Sequence, residues 1–122
     1  MSTPPESSQG LPVGRRIKYN WDFTRIKTAG RRNTLGCLML NWLASKQSGP
    51  SRLGVVVSRR VGNAVVRNRA KRLMREVFRR NQAKIPGAFD LVLIARSSIQ
   101  RRSYAAVERD FMDVLRHARI LG

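Results

Sequence analysis

The chain has 122 residues, and its 25 Lys and Arg against 7 Asp and Glu leave a formal net charge of +18 and a pI near 11.9. That balance points to a polyphosphate partner, because each neutralised phosphate releases condensed counterions. The one cysteine, Cys37, excludes an intramolecular disulfide and a cysteine-rich metal site, and no apolar stretch is long enough to span a bilayer.

The length corresponds to one domain, expected over residues 15–122 and able to bury roughly two thirds of its unfolded surface. Residues 1–14 carry Pro4, Pro5, Pro12 and several Ser and Gln, and are expected to form a disordered tail. They lack the charged-then-apolar order of a secretory signal, so the default compartment is the cytoplasm. Asn20 is placed to cap a short helix, Trp21 to Ala29, with Phe23 and Ile26 inward and Gly30 ending it in the left-handed conformation. Leu35 to Leu43 (LGCLMLNWL) reads as one strand, bent near Gly36. QSGPS at 47–51 is turn chemistry, which makes Leu53 to Ser58 the expected hairpin partner of that strand.

The segment from Ser58 to Arg80 then places nine basic residues against one acid, Glu76. Val66, Ala70, Leu73 and Val77 recur at helical spacing, with Met74 and Phe78 widening the same face, so the run predicts a helix lying on a core. Asn63 is its N-cap. Lys71, Arg72, Arg75 and Arg79 project together on the far side, and Arg67 falls at the edge of the apolar arc. A solvated surface helix would mix both signs, whereas here like charges at i,i+4 cost roughly a few tenths of a kcal/mol each. A face of this kind fits contact with nucleic acid. Pro86 and Gly87 punctuate before Phe89 to Ala95 (FDLVLIA), a continuous apolar run typical of an interior strand. Ser103 caps a last helix with the stripe Tyr104, Val107, Phe111, Val114, Leu115 and Ala118. The order implies an α/β domain of the α+β type: one mixed sheet with about three helices packed on it, and no repeat.

A protein active site is hard to assemble from what remains. His117 sits near the end of the last helix, where such side chains meet terminal carbonyls. Cys37 lies in an apolar run and reads as a small core hydrophobe. Of the clustered acids Glu108, Asp110 and Asp113, the latter two are expected to offset Arg109 and Arg116 rather than hold a metal. No Gly-rich phosphate loop is present, since Gly54 and Gly62 lack companions. Binding, not side-chain catalysis, is the consequence.

Over Arg60 to Phe78, RVGNAVVRNRAKRLMREVF, the chain closely resembles the protein subunit of bacterial ribonuclease P. The signature is carried by Gly62, Asn63, Ala64, Val65, Arg67, Asn68, Arg69, Lys71, Arg72 and Arg75. Resemblance extends to the Asp22–Phe23 pair, to Val57 through Arg60, and to Ile94, Ala95 and Arg96, covering roughly Arg15 to Ala118. It implies a ribosomal-protein-like two-layer sandwich in which the basic helix joins two parallel strands by a left-handed crossover, against the usual hand. It also implies a hydrolase whose catalyst is an RNA subunit with bound magnesium, an endonuclease that removes the 5′ leader from precursor tRNA. One protein per RNA is expected. By position, Arg69, Lys71, Arg72, Arg75 and Arg79 would face the catalytic RNA. Phe23, Lys27, Arg60, Arg67 and Asn68 would line the leader, Phe23 serving either as a stacking platform worth roughly 1 to 3 kcal/mol or as a core residue. Other readings of the charge are a small ribosomal or ribosome-assembly protein, or a major-groove DNA reader, although clustered arginines suit phosphates better than base edges.

The sequence departs from the resemblance where the family often has a second aromatic one turn after the first; here that place is Lys27. Another aromatic expected in the first strand falls at or beside Asn41, with Trp42 on the opposite face. Leader binding should therefore show a steeper dependence on salt than in relatives carrying both aromatics. Titration of leader binding against salt concentration checks this, and an equal or shallower slope would count against it.

Overall fold

The computed structural model describes residues 16–17, 20–45 and 49–121; the expected tail at 1–14 lies outside them. The elements are α1 (Asn20–Ala29), β1 (Arg31–Leu35), β2 (Leu38–Ala44), β3 (Arg52–Val56), α2 (Ala64–Asn81), β4 (Phe89–Ala95) and α3 (Tyr104–His117), with 3-10 turns at Arg59–Val61, Gln82–Lys84 and Ser97–Arg101. The strands form one mixed sheet in the order β1-β2-β4-β3. β4 pairs antiparallel with β2 and parallel with β3, so α2 is the crossover between parallel neighbours.

Two expectations for the first strands are corrected. Leu35 to Leu43 is not one strand: Gly36, at φ 59°, turns the chain, and β1 pairs antiparallel with β2 across that turn. RRNTL in β1 offers no apolar alternation, and arginines on an edge strand discourage further pairing. Nor is β3 the hairpin partner of β2, because β4 lies between them. Its burial on both faces is what the apolar run FDLVLIA provides.

α2 and α3 pack on the face carrying Leu40, Leu91, Leu93 and Leu53, with Phe78, Met74, Phe111 and Leu115 fully buried between. Alternation along the strands sends Val92, Ile94 and Leu43 to the other face, where α1 lays Ile26 over one end. The sheet with α2 and α3 forms the two layers of the expected α+β sandwich. Ser103 caps α3, its Oγ accepting the Ala106 N–H at 3.2 Å.

Gly30 ends α1 for a reason other than handedness: its φ is not positive, but a Cβ there would fall onto the carbonyl oxygens of Ile26 and Trp42. Asp110 is also reassigned. Instead of offsetting Arg109 it is buried, and its Oδ2 accepts the Cys37 N–H at 3.0 Å, tying the β1–β2 turn to α3. Cys37 sits in that turn rather than within a strand, fully buried, and burial with Asp110 alongside pushes its thiol up to about 12.

α1 is fastened by charge as well as by Ile26. Asp90 of β4 accepts from Arg25 Nη2 at 2.8 Å and from Arg52 Nε and Nη2, each at 3.0 Å. Asp22 of α1 accepts from Arg25 at 3.3 Å and lies 3.7 Å from Arg52. Both carboxylates are almost completely buried, at 3% and 2% exposure. Burial opposes ionisation of Asp90, but the Arg52 and Arg25 hydrogen bonds outweigh it and hold the carboxyl below its ordinary range. A depressed folded pKa contributes stability that is complete above the unfolded value of about 3.9 and is lost as pH falls through the folded value. Urea midpoints should therefore decline below about pH 4. Asp90→Ala, which leaves two arginines facing a partly buried gap, should cost about 3 to 5 kcal/mol at neutral pH in the same denaturation assay.

Candidate nucleic-acid interface

α2 is started by Asn63, whose Oδ1 accepts the Val66 N–H at 3.0 Å. Ala70, Met74, Val77, Phe78 and Asn81 are its buried face. Helical periodicity leaves Val65, Asn68, Arg72 and Arg79 facing outward, all exposed, with Val65 at 77%. Arg67, Lys71 and Arg75 run along one flank and are half-buried; Arg69, Glu76 and Arg80 run along the other.

The arginines of this helix are in different chemical states. Arg69 donates to the carbonyls of Gln100 at 3.4 Å and Arg102 at 2.8 Å, so it joins α2 to the loop before α3 while remaining exposed. Arg79 makes a two-pronged contact with Glu76, at 2.9 and 2.7 Å, and Arg80 reaches the same carboxylate at 2.8 Å. Arg80 also lies 5.0 Å over the Tyr104 ring. The Arg79 hydrogen bond, with Arg80 behind it, holds the Glu76 carboxyl below its usual range. Arg67 donates to the Gly62 carbonyl at 3.3 Å. Among the described residues no carboxylate pairs with Lys71, Arg72 or Arg75. The free positive charge of α2 therefore concentrates in its first two thirds.

Arg75 departs from its companions. It turns to the β3 edge, where it lines a cavity of about 200 Å³ with Arg16, Phe23 and Gly54, and burial, then the charge of Arg16, lowers its pKa. The structure thus brings Arg75 to Phe23, whereas Lys71 and Arg72 remain on the helix surface.

On the opposite face of the sheet, α1 leaves a strip uncovered. Thr34, Met39, Ile94 and Val56 follow one another across β1, β2, β4 and β3 in register, and all are half-buried or exposed, Val56 at 37%. Phe23 overhangs this strip, half-buried, with its ring edge where a Cβ on Gly54 would have to stand. Gly54 is thus needed for close approach, and Phe23 both packs in the small α1 core and borders open space. Lys27 is exposed on α1, Arg60 is exposed on the 3-10 turn after β3, and Asn68 is exposed at the outer start of α2. Asn41 is buried on this face, accepting from Arg32 Nε at 3.0 Å, while Trp42 packs on the other face against Phe89. Asn41 therefore offers no stacking surface. Arg16, Met39 and Val56 carried no site signal in sequence, because isolated apolar or basic residues become a surface only once the strand order is known.

A family model described as Ribonuclease P matches residues 11–119. The ribonuclease P protein component of Brevibacillus brevis is 41% identical over 108 residues, covering 87% of this chain and 84% of that protein. That of Alkaliphilus metalliredigens is 33% identical over 107 residues, covering 88% and 96%. The RNase P protein of Staphylococcus aureus superposes with a TM-score of 0.80 at 32% identity, over 88% of this chain and 98% of that one. The Thermotoga maritima protein gives 0.77 at 33% identity over the same shares. Sequence similarity along most of both partners, joined to a common backbone that carries the basic α2, places the chain: it belongs to the ribonuclease P protein family.

Proposed function

We propose that this chain holds the catalytic RNA along the outer face of α2 and takes the 5′ leader of precursor tRNA into the strip between α1 and the sheet, one protein per RNA, in the cytoplasm. Membership of the family makes it the protein component of the endoribonuclease that cleaves tRNA precursors, working with an RNA subunit. The observation that supports the finer reading is the geometry: Arg72 faces outward with no carboxylate partner among the described residues, while Phe23 borders an open strip on the other side of the sheet.

Magnesium fits the RNA and not this chain. The carboxylates nearest the strip, Asp22 and Asp90, are committed to Arg25 and Arg52. The protein's contribution is electrostatic: a positive surface between two RNAs reduces their repulsion and replaces part of the cation atmosphere. If about five phosphates are neutralised, a slope of about −0.7 per phosphate gives roughly a hundredfold loss of affinity from 50 to 200 mM salt.

Purification of the tagged chain from its own cells, followed by sequencing of the accompanying RNA, tests the reading. The expected result is one dominant structured RNA that, with this protein, trims a precursor tRNA leader at lower magnesium than the RNA alone. Ribosomal RNA in excess, or an unchanged magnesium optimum, would refute it.

Glu76 gives a second test. Glu76→Gln releases Arg79 and Arg80, so RNA affinity should rise severalfold and the log–log salt slope should steepen by about 0.7 for each phosphate gained. Filter binding across a salt series reads both, and an unchanged slope would show that the two arginines lie away from the RNA.

A further inference from the structure

Arg16 and Arg75 come from the segment before α1 and the middle of α2, yet both line the cavity at the β3 edge. Arg16 is fixed there by backbone: it bridges Leu53 in parallel, and the Ile17 N–H donates to the Leu53 carbonyl at 2.9 Å. Its Nε is withdrawn from solvent and meets no acceptor among the described residues. Arg75, half-buried, has no carboxylate partner among the described residues, and the neighbouring Arg16 charge disfavours its protonated form.

Other half-buried guanidinium groups of the sheet and α2 have acceptors. Arg25 and Arg52 share Asp22 and Asp90, and Arg67 reaches a carbonyl. Here two cations line one concave space whose described walls carry no acid. Like charges so placed repel, and an oxyanion between them removes the repulsion while accepting the planar N–H forks that suit phosphate. The remaining walls include Ile17, Gly54 and the edge of Phe23, so apolar surface suited to a sugar or base adjoins the two guanidinium groups.

We propose that Arg16 and Arg75 together grip one phosphodiester group of bound RNA, at the β3 edge where the strip beside α1 meets the flank of α2. This places Arg75 in the substrate cleft and not on the outer face with Arg72. It rests on the leader reading above.

The test uses holoenzyme assembled from the full chain and its RNA subunit, with Arg16→Gln, Arg75→Gln and the double variant. Affinity is measured for precursor tRNA with its leader, for mature tRNA, and for the RNA subunit. Each single variant should weaken leader-bearing precursor about tenfold and leave mature tRNA unchanged. The double variant should fall well short of the hundredfold product, because both side chains serve one phosphate. A loss of the same non-additive form on the RNA subunit would keep the clamp and assign its phosphate to that RNA. Fully multiplicative losses, or none, would overturn it. Phe23→Ala separates the two ideas: weakened precursor binding there, with unaltered binding in the arginine variants, would sink the clamp and leave the cleft standing. If wild-type holoenzyme bound precursor and mature tRNA equally, the cleft reading would fail, and the RNA-subunit affinities would decide the clamp. Since neither guanidinium has a hydrogen-bonded or ion-paired partner among the described residues, thermal midpoints should stay level or rise; a fall in both would mark the pair as structural and overturn the proposal.

Discussion

The buried charge cluster of Asp22, Arg25, Arg52 and Asp90 is the constraint on which the position of α1, and with it the open strip of the sheet, depends. Two carboxylates taken out of water carry a desolvation penalty that only close, multiply hydrogen-bonded partners offset. The two arginines meet that condition from different elements, Arg25 from α1 and Arg52 from β3, while the acids come from α1 and β4. A hydrophobic contact such as Ile26 on Val92 would tolerate sliding of the helix; a directional lattice of ion pairs does not. α1 is therefore registered at one end of the sheet, Phe23 is carried to the β3 edge, and the remaining row of strand residues is left open.

The basic helix shows how a large formal charge is reduced to a small working one. Arg69 is engaged by backbone carbonyls and Arg79 and Arg80 by Glu76, whereas Lys71 and Arg72 have no carboxylate partner among the described residues. Dense like charge on one helix would be self-repelling without such outlets. Glu76 relieves that repulsion at the C-terminal end, where the helix runs toward Asn81 and the hydrogen bonds it shares with Glu108 and the Val77 carbonyl. Charge counting from sequence thus overstates the positive charge that α2 leaves unpaired, and the count of unpaired cationic groups among the described residues is the better guide.

What could be read in advance follows the same physics. α2, β4 and α3 were legible because long apolar periodicity leaves one packing solution, and Asn63 and Ser103 because caps are local chemistry. β1 was not, since RRNTL is an edge strand whose polar composition resembles a loop until β2 turns back beside it. The misassigned partner of β3 has a different origin. Neighbours in sequence usually pair, but Phe89 to Ala95 is the strand that most needs cover on both sides, and it takes the central place between β2 and β3. At the site, the outward position of Arg72 follows from helical projection alone. The turn of Arg75 toward Arg16 does not, because it depends on the Arg16–Leu53 bridge between segments far apart in sequence.

Cys37 sits where Asp110 of α3, Gly36 and the Arg96 N–H meet, its carbonyl accepting from Arg96 at 2.9 Å. With its sulfur sealed and its thiol at about 12, it is chemically silent so long as that junction is closed. The molecule consequently carries its own clock for breathing: alkylation of its one thiol proceeds only as fast as the β1–β2 turn lifts from α3. Because that turn is tied to α3 through Asp110, the rate would report the integrity of the scaffold.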